Sequence, residues 1–360
     1  QYYATMMEPW DGPASILFSD GDIMGAVLDR NGLRPSRYYV TNDGYLILSS
    51  EVGVLPIAES RIKVKDRLRP GKMLLVDTVK GELIDDDELK EKYATKQPYG
   101  EWLDNNLVQL HDLKIPNQKV PMHTKEERAR LQKAFGYTYE DLKTSILPMA
   151  LNGSESIGAM GIDTPLAVLS NKHQPLFNYF KQLFAQVTNP PIDSIREKVV
   201  TSTTVYLGTD GNVLEEKAEN CKQLKINDPI LTNTDLLKIK NMKVDGFKVE
   251  TIPIIYYKNT SLEKAIDHLF VEVDRAHREG ANIIILSDRG VDENHVAIPS
   301  LLAVSALQQY LVQTKKRTAM AVILESGEPR DVHHFATLLG YGASAINPYL
   351  AQESIQELID

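Results

Sequence analysis

The sequence predicts a mixed α/β protein with two parts of different character. Residues 1–97 contain short apolar runs joined by tight Asp-Gly and Lys-Gly turns, a pattern typical of antiparallel β hairpins. The last third alternates strand-like and helix-like segments, which is typical of parallel βαβ units. A length of 360 residues favours two domains or one large one. We therefore expect a β-rich part followed by an α/β part.

Three hairpins are predicted in the β-rich part. Each joins two apolar runs across a turn with glycine, which adopts positive φ without a Cβ clash. A sheet made only of these strands would leave an unpaired edge and an exposed apolar face, so we expect further chain to cover it. The paired runs are residues 15–18 with 23–28, 38–40 with 45–48, and 73–76 with 82–84.

The middle of the chain is less regular. Residues 98–121 are irregular and polar, and we interpret them as a connection between the first domain and a second one at residues 122–360. Thr124 and Glu127 form a capping-box pattern before a short helix, which Gly136 should end. Residues 138–200 carry Gly-Ser and Pro-Pro pairs between apolar runs, which indicates long ordered loops between helices.

The last third shows the most regular pattern. Its apolar strands alternate with amphipathic helices, which predicts parallel βαβ units with three crossovers and four strands. This arrangement fits either half a barrel or an open sheet. The predicted strands are residues 247–257, 281–286, 319–324 and 343–346, and the predicted helices are 260–279, 301–312 and 332–339.

Composition excludes several classes of function. The formal charge of -9 gives no basic footprint for nucleic acid. No apolar run approaches the roughly 20 residues of a membrane helix, and the first residues lack the order of a signal peptide, so we expect a cytosolic or organellar protein. The single cysteine, Cys221, excludes an internal disulfide and a cluster held by several thiolates of this chain.

Charged side chains follow two of the predicted parallel strands. In such sheets ligands bind at the C-terminal ends of the strands. Asp288 and Arg289 follow one strand, and Glu325 and Arg330 lie at the end of the next, so a small anion could bind among them. The alternative is that these residues form loop salt bridges and helix caps, with Asp331 as a cap.

Other familiar sites are not indicated. His333 and His334 are adjacent on a predicted helix and point about 100° apart, so they do not form a metal pair. Cys221 has charged neighbours but no local histidine base, and we interpret it as incidental. Neither a Gly-x-Gly-x-x-Gly motif after a strand nor a phosphate-loop lysine is present in the sequence.

Five segments resemble one enzyme family. Residues 7–14 (Met-Glu-Pro-Trp-Asp-Gly-Pro-Ala) and 29–37 (Asp-Arg-Asn-Gly-Leu-Arg-Pro-Ser-Arg) resemble the late part of the glutamine amidotransferase domain of glutamate synthases. The segments at residues 158–165, 183–193 and 346–350 resemble the central domain of the same family. The resemblance therefore extends over nearly the whole length.

The resemblance implies a fold and an activity. It implies the C-terminal, β-rich part of an Ntn-type amidotransferase domain at residues 1–97, followed by an α/β central domain whose βαβ units resemble a partial barrel. The family is an oxidoreductase that makes L-glutamate from L-glutamine and 2-oxoglutarate. Its glutaminase nucleophile is an N-terminal cysteine, whereas residue 1 here is Gln1. We therefore expect an internal piece of a larger enzyme, without turnover of its own.

The resemblance also implies cofactors and partners. FMN, a 3Fe-4S cluster and the 2-oxoglutarate site belong to the flavin barrel of the family, which we expect after Asp360, so we expect no cofactor in this chain. The expected partners are the amidotransferase and flavin domains of the same polypeptide, and an electron-donor subunit or ferredoxin. The expected location is the cytoplasm, or the plastid for a plant-type enzyme. The electron donor itself stays open among ferredoxin, NADH and NADPH.

Two sets of residues are candidates for supporting roles in such an enzyme. Gly158, Met160, Thr188 and Asn189 lie in loops rich in small residues, and could line the tunnel that carries ammonia from the glutaminase to the flavin site. The alternative is that these loops are tight packing turns.

Arg30 and Arg34 are the second set. They could support the glutaminase site by contacting and orienting the residues that bind its substrate. The alternative is that they fix a strand turn. At the level of the whole chain, the alternatives are a free-standing α/β module that binds a small anion at Asp288, Arg289, Glu325 and Arg330, or a purely structural spacer.

Overall fold

The chain separates into Gln1–Glu101 and Trp102–Asp360, each folded around its own core. The computed structural model describes residues 6–7, 12–156, 165–181 and 192–359. In each unit, the turns and crossovers determine which strands are neighbours in a sheet.

The first unit contains two antiparallel sheets, of strand order β1-β2-β6-β7 and β4-β3-β5. The three predicted hairpins are confirmed, since β1 pairs with β2, β3 with β4 and β6 with β7. A small apolar core contains Ala26, Leu28, Leu68 and Leu74. The elements are β1 (Ser15–Ser19), β2 (Ile23–Leu28), β3 (Arg37–Thr41), β4 (Leu46–Ser49), β5 (Ile62–Arg67), β6 (Met73–Asp77), β7 (Glu82–Ile84) and α1 (Asp86–Ala94).

Two elements of this part were not predicted. Strand β5 is mostly polar and exposed, so no local pattern indicates it, and it exists through its pairing with β3. Helix α1 begins after Asp85, whose side chain accepts a hydrogen bond from the Glu88 N–H, so the expectation of strands alone was wrong here. The stretch that we expected to be irregular also contains a helix, α2 (Tyr99–Asn106), and a short strand, β8 (Val108–Gln109).

The second unit is built on a parallel sheet with helices on one face and a second, small sheet on the other. The predicted helix after Thr124 is present, with both hydrogen bonds of the capping box. The elements after β8 are α3 (Lys125–Ala134), a π-helical turn (Asp141–Ile146), α4 (Leu147–Asn152), α5 (Ser194–Val200), β9 (Val205–Gly208), β10 (Gln223–Ile226), α6 (Asn233–Lys240), β11 (Val249–Pro253), β12 (Ile255–Tyr257), α7 (Leu262–Arg278), β13 (Ile283–Ser287), β14 (His295–Ala297), α8 (Ser300–Gln313), β15 (Ala321–Glu325), α9 (Val332–Gly340), β16 (Ala345–Asn347) and α10 (Tyr349–Ile359).

The parallel sheet confirms the predicted βαβ alternation. Its strand order is β11-β13-β15-β16, and helices α7, α8 and α9 connect the successive strands. Ile283 and Ile285 pack into one core with the β8-β10-β9 side, while Ile284 and Leu286 pack into the core beneath α7 and α8. Both faces are therefore covered, which is why these strands are continuous apolar runs.

The predicted strand at residues 247–257 is in fact two strands. Ile254 interrupts it, because its N–H donates to the Ser287 carbonyl while its own carbonyl accepts from the Ile298 N–H. The chain beyond this point leaves the parallel sheet, and β12 pairs with β14 instead.

Candidate functional site

The charged residues predicted at the strand ends lie at one edge of the parallel sheet. Asp288 directly follows β13, and Glu325 is the last residue of β15. The two strands are in register there, since Ser287 lies opposite Glu325 and the Asp288 N–H donates to the Glu325 carbonyl at 3.1 Å. Both acidic side chains are buried, at 1% and 2% exposure. The fold therefore places two carboxyl groups where α/β proteins bind ligands.

The Asp288 carboxylate is enclosed by hydrogen-bond donors of this chain. The Ser326 hydroxyl donates to it at 2.5 Å, the Tyr349 hydroxyl at 2.8 Å, and the Gly327 N–H at 3.1 Å and 3.2 Å to its two oxygens. Burial raises the pKa of Asp288 to about 7, while the donors act in the opposite direction. These three hydrogen-bond donors belong to the same chain and hold the Asp288 carboxylate in place.

Buried Glu325 forms a triad with two half-buried cations. The Lys240 Nζ lies 2.7 Å from one carboxylate oxygen, and the Arg289 Nε lies 2.6 Å from the other. Burial opposes ionisation, but these two cations lower the pKa of Glu325 overall. The Arg289 guanidinium also lies 3.9 Å from the ring centre of Tyr349, a cation–π contact. The triad thus connects α6, the loop after β13 and the end of β15, and the cation–π contact adds the start of α10.

Arg330 binds the C-terminal end of helix α3, whereas Arg289 pairs with Glu325. Its guanidinium donates to the carbonyls of Phe135 and Gly136 at 3.0 Å and 3.1 Å, just after α3. It also lies 4.3 Å from the ring centre of Tyr137 and 3.4 Å from Asp141. Carbonyls at a helix C-terminus lack intrahelical partners and attract cations, so Arg330 holds the end of α3 in place.

The chain around α3 covers the strand ends. An added Cβ on Gly327, in the loop after β15, would lie only 2.7 Å from the Phe135 ring, and the Tyr137 hydroxyl donates to the Gly327 carbonyl at 2.9 Å. At the other end of the helix, the His123 Nδ1 lies 3.0 Å from buried Glu353 of α10. Helix α3 and the residues that follow it therefore cover the edge at which ligands bind in comparable folds.

The residues at this edge do not fit a phosphate-bearing cofactor such as FMN. A phosphate group needs free backbone N–H groups and cationic side chains that are free to donate to it. Here the Gly327 N–H donates to Asp288, and Lys240 and Arg289 both donate to the Glu325 carboxylate. Within the described ranges, groups of three or more His, Cys, Asp and Glu placed to hold a metal are absent. The one cysteine cannot supply the thiolates of a cluster.

Two family models match the chain one after the other. Residues 1–102 match class-II glutamine amidotransferases, and residues 130–360 match the glutamate synthase central domain. The second match alone covers more than half of the 360 residues. The chain belongs to the glutamate synthase family.

Curated relatives in this family are similar along the whole chain. The large chain of glutamate synthase [NADPH] from Bacillus subtilis is 47% identical over 360 residues, which cover 100% of this chain and 23% of the relative. Glutamate synthase [NADH] from Schizosaccharomyces pombe is 44% identical, with 100% and 18% covered. Ferredoxin-dependent glutamate synthase 2 from Synechocystis is 43% identical, with 99% and 23% covered. The chain thus spans about a fifth of the length of these glutamate synthases.

The candidate residues for supporting roles fall in two different places. Gly158, Met160, Thr188 and Asn189 lie outside the described residues of this glutamate synthase family member. Arg30 and Arg34 lie in the turn after β2, where Arg30 is half-buried and Arg34 is exposed. The Asp29 carboxylate organises that turn by accepting from the N–H groups of Ala14, Asn31 and Gly32. Both arginines stay predictions for a role at a glutaminase site.

Sequence reasoning missed several partners at the strand ends. Lys240 precedes Glu325 by 85 positions, so no local pattern connects them. Tyr349 lies within the family motif at residues 346–350, which was the one available signal for it. Asp331 caps α9 by accepting from the His334 N–H, as the alternative interpretation expected. The anion site at Asp288, Arg289, Glu325 and Arg330 stays a prediction.

In the part of the chain that the structure describes, no helix has the length and apolarity to cross a membrane.

Proposed function

We propose that this chain connects the glutaminase part of a glutamate synthase to its flavin-containing synthase part. The parent enzyme would make L-glutamate from L-glutamine and 2-oxoglutarate with reducing equivalents. The observation that carries the proposal is the order of the two family matches, an amidotransferase at residues 1–102 and a central domain at residues 130–360. The relatives' names give NADPH, NADH and ferredoxin, so the proposal does not commit to one electron donor.

The second unit would serve as a scaffold in that enzyme. Its four parallel strands are neighbours in sequence order and carry the crossover helices α7, α8 and α9 on one face, which supports the half-barrel interpretation over an open sheet. The charges at its strand ends are used in internal contacts, which supports a role without catalysis. We retain the division into an amidotransferase part at residues 1–97, a connection at 98–121 and a central domain at 122–360.

The cofactors and partners of the proposal come from the family. FMN and a 3Fe-4S cluster would be held by the flavin domain, and the amidotransferase and flavin domains of the same polypeptide would be the main partners. An electron-donor subunit or ferredoxin would complete the assembly, without nucleic acid or membrane. The location would be the cytoplasm, or the plastid for a plant-type enzyme, since the Arabidopsis thaliana relative is named as chloroplastic.

A glutaminase assay on the 360-residue chain tests the scaffold role. We expect no ammonia from glutamine, because its one cysteine lies in the charged segment around Cys221 and has no adjacent histidine base. Ammonia release that disappears in the variant Cys221→Ser would contradict the proposal. Calorimetric titration with phosphate, glutamate and 2-oxoglutarate is the companion measurement, because saturable binding that is lost in Arg289→Met would favour the anion-binding module.

The proposal includes a tunnel role for the loops with Gly158, Met160, Thr188 and Asn189. In the full-length enzyme, Thr188→Trp should narrow the passage and leave both distant active sites complete. Glutaminase and ammonia-dependent synthase activities should survive, while glutamine-dependent glutamate formation falls and free ammonia escapes. The same substitution at exposed Thr95, in the first unit, is the control.

The ratio of ammonia released to glutamate formed decides between the tunnel and plain packing. A bulky residue in a close-packed turn costs about 1–3 kcal/mol and lowers all activities together. If the ratio is unchanged in Thr188→Trp while the melting temperature falls, these loops serve packing only.

A further inference from the structure

The start of helix α9 holds the chain that lies between two family segments. These family segments are residues 158–165 and 183–193, which resemble the central domain of glutamate synthases and contain the tunnel candidates. Residues 166–181 lie between them, and Phe177 is the only buried residue of this stretch, at 0% exposure. Phe177 is therefore its main attachment to the core of the second unit, with half-buried Leu176 beside it.

Two adjacent histidines of α9 contact Phe177. The His333 Nε2–H donates to the Phe177 carbonyl at 2.9 Å, and the His334 ring stacks on the Phe177 ring, with 4.2 Å between the ring centres and 21° between the planes. The His334 ring is itself oriented, since its Nδ1 accepts from the Arg330 N–H at 3.2 Å. Neighbouring side chains on a helix point in different directions, so one histidine holds the backbone of Phe177 and the other holds its ring.

The same turn of α9 also holds the chain before the first family segment. The Val332 N–H, at the first position of the helix, donates to the Glu155 carboxylate at 2.8 Å. The first N–H groups of a helix lack intrahelical partners and favour a negative charge, so Glu155 is a suitable partner. Three consecutive residues, 332–334, therefore contact the chain on both sides of the family segment at 158–165.

We propose that His333 and Glu155 are positioning residues for ammonia transfer in the parent enzyme. They attach both ends of residues 155–177 to one helix, which sets where the first family segment begins and where the chain leads into the second. Helix α9 is a firm support, because it joins β15 to β16 and packs on the core through buried Leu338. Ammonia is about as large as water, so a small displacement of a passage wall is enough to let it escape. The inference rests on the tunnel role in the proposed function.

The test uses full-length glutamate synthase with this sequence and measures the ratio of ammonia released to glutamate formed from glutamine. His333→Ala removes the hydrogen bond to Phe177, and the loss of one such bond shifts a conformational equilibrium about 2- to 10-fold. We therefore expect the ratio to rise about 2-fold or more in His333→Ala and in Glu155→Ala. His333→Gln keeps an N–H donor of similar reach and should keep the ratio of the unsubstituted enzyme. The matched control is His268→Ala, at an exposed position of α7, which should leave the ratio unchanged.

Hydrogen exchange in the 360-residue chain measures the attachment itself. Amides of residues 166–181 should exchange faster in His333→Ala than in the unsubstituted chain, while those of β13 should be unchanged. A role in packing alone predicts faster exchange with an unchanged ratio of ammonia to glutamate, and that combination would overturn the proposal. An equal rise of the ratio in His268→Ala would overturn it as well.

Thr188→Trp in the same enzyme separates this inference from the tunnel role. A ratio that rises in Thr188→Trp but not in His333→Ala would overturn the positioning role and leave the tunnel role in place. Unchanged ratios in both variants would overturn the tunnel role and the positioning role with it. A rise in His333→Ala that is absent in His333→Gln supports the proposal.

Discussion

The pH dependence of stability should reveal the buried carboxyl group at the strand ends. The substitution Asp288→Asn keeps the shape of this side chain and removes its titration. Burial raises the pKa of Asp288 from 3.8 to about 7, so over that interval the folded state holds a proton that the unfolded state has released. The unfolding free energy then falls by about 1.4 kcal/mol per pH unit, or ~4 kcal/mol in all. This contribution is fully present below pH 3.8 and is lost as the pH rises through about 7.

A second buried group has the opposite sign. Burial lowers the pKa of His334 from 6.5 to about 4, so its contribution is present above pH 6.5 and is lost as the pH falls through about 4. Between these pH values, Asp288 makes the unfolding free energy of the unsubstituted chain fall with rising pH, whereas His334 makes it rise. The variant Asp288→Asn keeps the His334 contribution and loses the opposing one of Asp288, so its stability should rise with pH across this interval.

Urea unfolding at a series of pH values, followed by circular dichroism, measures the difference. The amide cannot accept from Ser326, Gly327 and Tyr349 as the carboxylate does, which adds a loss that is independent of pH and cancels from the slope. We expect the parent-minus-variant difference to fall by ~4 kcal/mol from pH 4 to pH 8. A difference that stays constant would refute the reasoning, because it would mean that Asp288 is ionised throughout.

Two further predictions test the packing. Gly327→Ala should lower the unfolding free energy by about 1–3 kcal/mol, since the new Cβ would lie 2.7 Å from Phe135, whereas Gly340→Ala in α9 meets nothing within 4 Å and should be neutral or stabilising in the same thermal melt. Amide hydrogen exchange should be slower at residues 281–286 than at 15–50, because the former lie in a sheet covered on both faces and β1 is mostly exposed. Equal protection in a monomeric sample would contradict that expectation.

Local signals in the sequence determined much of the fold. Tight turns with glycine predicted all three hairpins, and the capping box at Thr124 predicted α3. Apolar runs such as residues 283–286 predicted strands covered on both faces, and their alternation with helices predicted a parallel sheet of four strands. These predictions were correct because backbone conformation in turns and side-chain periodicity depend on only a few neighbouring residues. The family motifs added the amidotransferase and central-domain assignment.

Tertiary structure alone decided the features that need distant partners. Strand β5 has no apolar pattern of its own and is stabilised by pairing with β3. The convergence of Asp288 and Glu325 followed from parallel strands, but the ion pair of Glu325 with Lys240 of α6 joins residues 85 positions apart in sequence. The packing of α3 over the strand ends likewise depends on contacts such as that of Arg330 with Gly136, 194 residues apart. Whether charged strand ends face a ligand or their own chain is determined by which distant segment packs there, and no local periodicity encodes that choice.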